Sequence, residues 1–139
     1  MNDRVLIAQK DCMGCGVACV ANRFGISYDE ALMLFEYPYQ AKTIGFACKY
    51  IVQAVKSGGH TNARLRYIGK FTVSEIQCIP EGAIVLLRKS ELYPYQHYLI
   101  RDHDEWIDPW INMHEDANVK NARAGIRHSL PGDAYYAII

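Results

Sequence analysis

A glutamine, five intervening residues and then Cys15-Gly16-Val17-Ala18-Cys19 bring a thiol and a side-chain amide close together in sequence. Far downstream, His97-Tyr98-Leu99-Ile100 is followed by Asp108-Pro109. A thiol, an imidazole, a carboxylate and an amide are the parts of nucleophilic acyl transfer: nucleophile, general base, orienting acid and oxyanion donor. A thiol attacks as the thiolate, and a helix N-terminus favours the thiolate through its dipole and free N–H groups. Cys15 opens an apolar-striped segment and takes that place. Its own N–H and the amide of Gln9 are the candidate oxyanion donors. Gly16 is expected to leave room for a substrate backbone.

The competing cysteines fit less well. Cys12 sits in the turn ahead of the segment, and Cys19 lies on the apolar stripe, where a small buried hydrophobe is the simpler account. Cys48 and Cys78 are isolated. Cys12-Met13-Gly14-Cys15 also reads as a redox C-x-x-C. The chain lacks the alternating strands and helices that a thioredoxin-like fold requires. With no second C-x-x-C and no paired histidines, zinc is not supported, and neither a metal nor another cofactor is expected. There are 5 histidines. His97 opens a β run beside Leu99, whereas His60, His103, His114 and His128 fall in loops or polar stretches. Asp108 comes back across a short hairpin to face His97 and fix its tautomer. Asp102 and Asp104 serve as turn residues, and Asp108-Pro109 could also be no more than a turn opener.

The elements that must hold these groups are legible in outline. Val5 to Ala8 is an apolar lead-in and Asp11 to Gly14 a turn. A helix is predicted over Cys15 to Phe24, ended by Gly25. Ser27 and Glu30 form a capping box that opens a second helix through Phe35, stopped by Pro38. A third helix is predicted from Thr43 to Lys56, ended by Gly58-Gly59. Beyond it the period changes to two. Strands are predicted over 64–68, 83–88, 97–101, 105–108 and 134–139, with a helical turn over 73–77 and a tight hairpin at 102–104. Helices first and antiparallel strands second make an α+β layout in a single domain, 1–139.

These motifs resemble the papain-like cysteine peptidases that remove double-glycine leader peptides from bacteriocins. The resemblance spans about Gln9 to Trp110, with Thr43-Ile44-Gly45 and Ile79-Pro80 in corresponding places. It implies a papain-like fold, with N-terminal helices packed on a C-terminal antiparallel sheet. It also implies Cys15 as nucleophile, His97 as base, Asp108 as its orienter and Gln9 in the oxyanion hole.

The composition is compatible with that chemistry. The chain has 139 residues, 50% of them hydrophobic, with 15 basic and 15 acidic side chains and no net charge. That size supports one core, and the balance gives no support for a nucleic-acid partner. No apolar run approaches the ~20 residues of a membrane span, and the N-terminus lacks the apolar stretch of a signal peptide. A cytoplasmic location is therefore expected, or a delivered or secreted one if this is a toxin domain of a longer chain. An odd number of cysteines argues against a disulfide framework.

The first expectation is a thiol hydrolase cleaving a peptide or amide bond in a peptide or protein substrate. An alternative on the same scaffold is an antibacterial toxin domain acting on a host macromolecule and neutralised by an immunity or inhibitor protein. For that alternative, some of the 10 tyrosines (Tyr37, Tyr39, Tyr93, Tyr95 and Tyr98 among them) would line a groove. A non-catalytic peptide-binding module is the third reading, and the complete Cys, His, Asp and Gln set argues against it.

Overall fold

Ten residues from Cys15 to Phe24 form the first helix, α1, in the computed structural model, which describes residues 5–68 and 79–139. Gly14 precedes α1 without a side-chain cap, and Gly25, at φ 64°, closes it in the left-handed conformation that glycine adopts at no steric cost. Asn22, inside α1, secures the extended lead-in. Its Oδ1 accepts from the Ile7 N–H, and its Nδ2 donates to the carbonyls of Ile7 and Ala18.

The predicted capping box opens α2 (Tyr28–Leu32). Ser27 Oγ accepts from the Glu30 N–H, and Glu30 Oε1 accepts from the Ser27 N–H, each at 3.0 Å. α2 ends at Leu32, short of the expected Phe35, and Pro38 starts a 3-10 turn, Pro38–Lys42, instead of stopping a helix. The third helix, α3, runs Cys48–Ser57 and not from Thr43. Gly45 takes φ 78° and Ala47 is extended, so the helical spacing of Ile44 is coincidental and Ile44 is 71% exposed.

Six strands follow: β1 (Leu65–Tyr67), β2 (Ile84–Leu87), β3 (Tyr98–Asp102), β4 (Glu105–Asp108), β5 (Gly125–Arg127) and β6 (Ala134–Ile138). They form one antiparallel sheet in the order β1-β6-β2-β3-β4-β5. β5 had no recognisable pattern in the sequence. The expected turn over 73–77, and Cys78, lie outside the described residues. The fold is therefore α+β, with helices preceding an antiparallel sheet, and no helix among the described residues is long and apolar enough to cross a membrane.

The central strands of the sheet are buried on both faces, and alternation sorts their side chains. Ile84, Ile100, Ile107 and Ile138 face the helices, joined by Val17, Val20, Ile51 and Val55. Val85, Leu87, Leu99, Trp106 and Ala137 form a second cluster on the other face with Tyr93. α1 lies against β3, which brings the start of the helix to the start of the strand. Gly16 is a correction to the sequence reading. It is buried, and a Cβ there would lie 2.8 Å from Ile51 Cδ1, so the glycine permits α1 to approach α3 and does not open the cleft.

Candidate active site

His97 directly precedes β3 and shares its alternation with Leu99. Asp108 ends β4. Pairing of Ile100 with Ile107 and Arg101 with Trp106 sets the register that returns Asp108 towards His97. The hairpin holding that register turns through His103 and Asp104, between the paired residues Asp102 and Glu105, with His103 at φ 57°. Asp102 and Asp104 are thus hairpin residues. The exposed His103 ring sits 3.1 Å from Asp102 Oδ1.

His97 Nε2 lies 3.0 Å from Asp108 Oδ1, with His97 5% and Asp108 0% exposed. A carboxylate only accepts, so Nε2 carries a proton and Nδ1 is the nitrogen left for the thiol side. Cys15, buried at the N-terminus of α1, borders the same cleft as His97, near enough for its thiol to act on the histidine's protonation, and its Sγ donates to the Gln96 carbonyl at 3.6 Å. Burial opposes charging His97. The hydrogen bonds and charges of Asp108 and Cys15 outweigh that penalty and push His97 from 6.5 up to about 9. Burial likewise disfavours ionised Asp108, but His97, Arg127 and the Trp110 N–H together hold its carboxyl below the ordinary range. The pair is built to exist as imidazolium and carboxylate.

Gln9 is 3% exposed and its backbone N–H donates to the carbonyl of Pro109, which ties the lead-in to the Asp108 turn. Its Nε2 donates to the carbonyls of Asp11 at 3.0 Å and Cys12 at 3.2 Å, and its Oε1 is buried without a partner. The amide borders the same cleft as Cys15 and His97. Service to an oxyanion would require it to turn from one of those carbonyls.

The cleft encloses about 800 Å³ and is walled by Tyr93, Tyr95, Trp110 and Met113 as well as by Gln9, Cys15 and His97, with Asp108 buried behind His97. Of the other tyrosines, Tyr98 is core: its hydroxyl donates to the Phe46 carbonyl and meets Cys48 Sγ. Tyr37 and Tyr39 pair with each other on the surface, away from the cleft lining. Cys12 is exposed at the cleft edge. Cys19 is fully buried beneath, where burial, with Cys15 and Asp108 nearby, pushes its thiol well up, as suits a core residue. All four described cysteines are free.

His60 contacts Arg23, His128 contacts Glu105, and His114 stands on the cleft wall. The one cluster among the described residues with metal-ligand spacing, Glu81, Asp102 and His103, is apart from the cleft, and its members already contact one another.

Arg127 escaped the sequence reading, and Tyr93, named there only as a groove-lining tyrosine, also contacts His97 itself. Arg127 Nε donates to Asp108 Oδ2 at 2.6 Å, and Tyr93 stacks on His97. Arg127 falls on a three-residue strand whose only signal is its register opposite Trp106. Tyr93 lies in a loop with no periodicity. No protein-family model, curated protein or solved structure matches this chain.

Proposed function

We propose that the chain is a papain-like thiol hydrolase that cleaves a peptide or amide bond. The observation that carries this reading is His97 beside Cys15 on the wall of one cleft, with Asp108 buried behind it and bonded to its ring. The three residues come from a helix start, a strand start and a strand end that nothing but a fold would bring together. A buried histidine satisfied by a carboxylate is common in cores. One that also meets a thiol at a helix N-terminus, on the wall of an open cleft, is the arrangement that acyl transfer needs.

In the proposed reaction the Cys15 proton is already held on His97 Nδ1, as the imidazolium that Asp108 supports, and the sulfur attacks the carbonyl carbon. The Cys15 N–H, free at the first position of α1, holds the developing oxyanion, and Gln9 Nε2 joins it by leaving one of its backbone acceptors. The imidazolium then gives its proton to the departing amine. A water activated by His97 hydrolyses the thioester, and Asp108 keeps the ring in its tautomer throughout. Leader-peptide processing is the finer reading that the motifs suggest.

The test is alkylation by iodoacetamide across pH, read by mass spectrometry, together with turnover of a peptide library. Cys15 alone should react rapidly near neutral pH, and His97→Ala should abolish that advantage. Cys15→Ala should abolish turnover while leaving the fold intact. Equal reactivity of Cys15 and the exposed Cys12 would defeat the proposal.

A further inference from the structure

The His97–Asp108 pair is part of a closed ring of side chains. Asp108 offers Oδ1 to His97 and to the Trp110 N–H, both at 3.0 Å, and Oδ2 to Arg127 Nε. Arg127 Nη2 donates to the Tyr93 hydroxyl at 3.1 Å. The Tyr93 ring then lies on the His97 ring, with centroids 4.1 Å apart and planes within 4°. Four side chains from three segments thus return to their starting point. We infer that Arg127 and Tyr93 are positioning residues of this site, which fix the plane of the His97 ring through Asp108 on one side and the stacked phenol on the other.

The mechanical reasoning is direct. One hydrogen bond at Nε2 holds one corner of the imidazole, and the ring can still rock about its Cβ–Cγ bond. A parallel ring at van der Waals distance removes that motion on one face, and its π-face favours the charged imidazolium. The phenol is useful as a stop only if it is itself fixed, and Arg127 fixes it. The planar guanidinium presents two donors at a set angle, so the carboxylate and the phenol are aligned by one rigid group. A lysine would supply charge to one of them. The groups facing His97 are Cys15 from α1, Asp108 from β4 and Tyr93 from the loop before β3. Arg127 of β5 acts behind Asp108 and Tyr93.

This inference rests on the reading of His97 as the base, and its test is separable from the test of that reading. Deleting the positive charge of Arg127 should, by electrostatics alone, make His97 easier to protonate. Loss of positioning should do the opposite. Long-range ¹H–¹⁵N spectra of the histidines, titrated from about pH 5 to 10, read both the tautomer and the pKa of His97. The resonance is assigned with His97→Gln, and the titrations are run in wild type and in Cys15→Ala. In Arg127→Gln the His97 pKa should fall from about 9 towards 6.5, and Arg127→Lys should fall in the same direction. Tyr93→Phe, which keeps the ring and loses the hydroxyl, should fall less. Alkylation of Cys15 near pH 7 should slow by about tenfold in Arg127→Gln.

Near-UV circular dichroism establishes which variants are folded. If Arg127→Gln is not, Arg127→Lys and Tyr93→Phe decide the matter. An unchanged or raised His97 pKa in a folded Arg127 variant, or full restoration by Arg127→Lys, overturns the inference. A wild-type Cys15 no more reactive than Cys12 defeats the hydrolase proposal alone and leaves the titration result standing.

Discussion

Asp108→Asn should change the stability of the protein in a pH-dependent way whose size follows from the site. His97 is raised from 6.5 to about 9, and each tenfold in that equilibrium is worth ~1.4 kcal/mol, so charging His97 in the folded state contributes about 3 kcal/mol. A raised folded-state pKa stabilises fully below the unfolded value. The contribution is present below pH 6.5, falls by ~1.4 kcal/mol per pH unit above it, and is gone beyond about 9. Asparagine removes the anion that supports this charge. Its amide can accept from His97 or from Arg127, and its NH₂ then confronts the other donor. Urea denaturation of wild type and Asp108→Asn at steps from pH 6 to 10, with Cys15 in place because it shares in raising His97, measures the gap between them. The gap should be widest near pH 6 and should narrow by about 3 kcal/mol by pH 10, leaving a pH-independent part from the stranded Arg127. Because the Asp108 carboxyl is held down, the gap should also close at strongly acid pH, as the folded protein begins to protonate it. A gap of constant size from pH 6 to 10 would refute the ion-pair account and leave a neutral histidine hydrogen-bonded to a carboxylate.

Under the proposed mechanism, Gln9→Ala should lower kcat by ~10²–10³ with little change in KM, measured on a peptide that the wild-type protein cleaves, since an oxyanion donor acts only in the transition state. Gly16→Ala should cost ~1–3 kcal/mol in urea melts, because the new methyl meets Ile51 Cδ1 in a packed core, and Ile51→Val, which deletes that atom, should recover part of the loss. Ser27→Ala should destabilise by ~1 kcal/mol in thermal or urea denaturation without altering Cys15 reactivity, since the capping box lies outside the cleft.

Local rules foresaw the elements whose signals are local. α1 follows from an apolar stripe ended by Gly25, the opening of α2 from the Ser27 and Glu30 pair, and the strands from alternation at 64–68, an apolar run at 83–88 and a hairpin turn at 102–104. His97 and Asp108 were legible because a short hairpin joins them, so register could be reasoned from nearby residues. What escaped depends on distant contacts. Gly45 breaks the expected third helix, and a Cβ there would meet Gln96 Oε1 and Met13 of the cleft region, a constraint that no helical periodicity encodes. Gly16 was assigned to the substrate when its neighbour is α3. Arg127 belongs to a strand too short to announce itself, and its partner Asp108 is 19 residues away. The sequence therefore carried Cys15, His97 and Asp108 more clearly than the groups packed around them.

The hairpin between β3 and β4 has a consequence for how this chain can vary. Side chains alternate faces along a strand, so the two-residue turn at His103 and Asp104 does more than join two strands: it chooses which residue of β4 is presented to His97. Were the pairing to slip by one residue, Ile107 would take the position of Asp108 and the carboxylate would pass to the helix face of the sheet. Length at this turn is thus a chemical specification. A single insertion there is equivalent to removing the carboxylate from His97, although Cys15, His97 and Asp108 would all still be present in the chain.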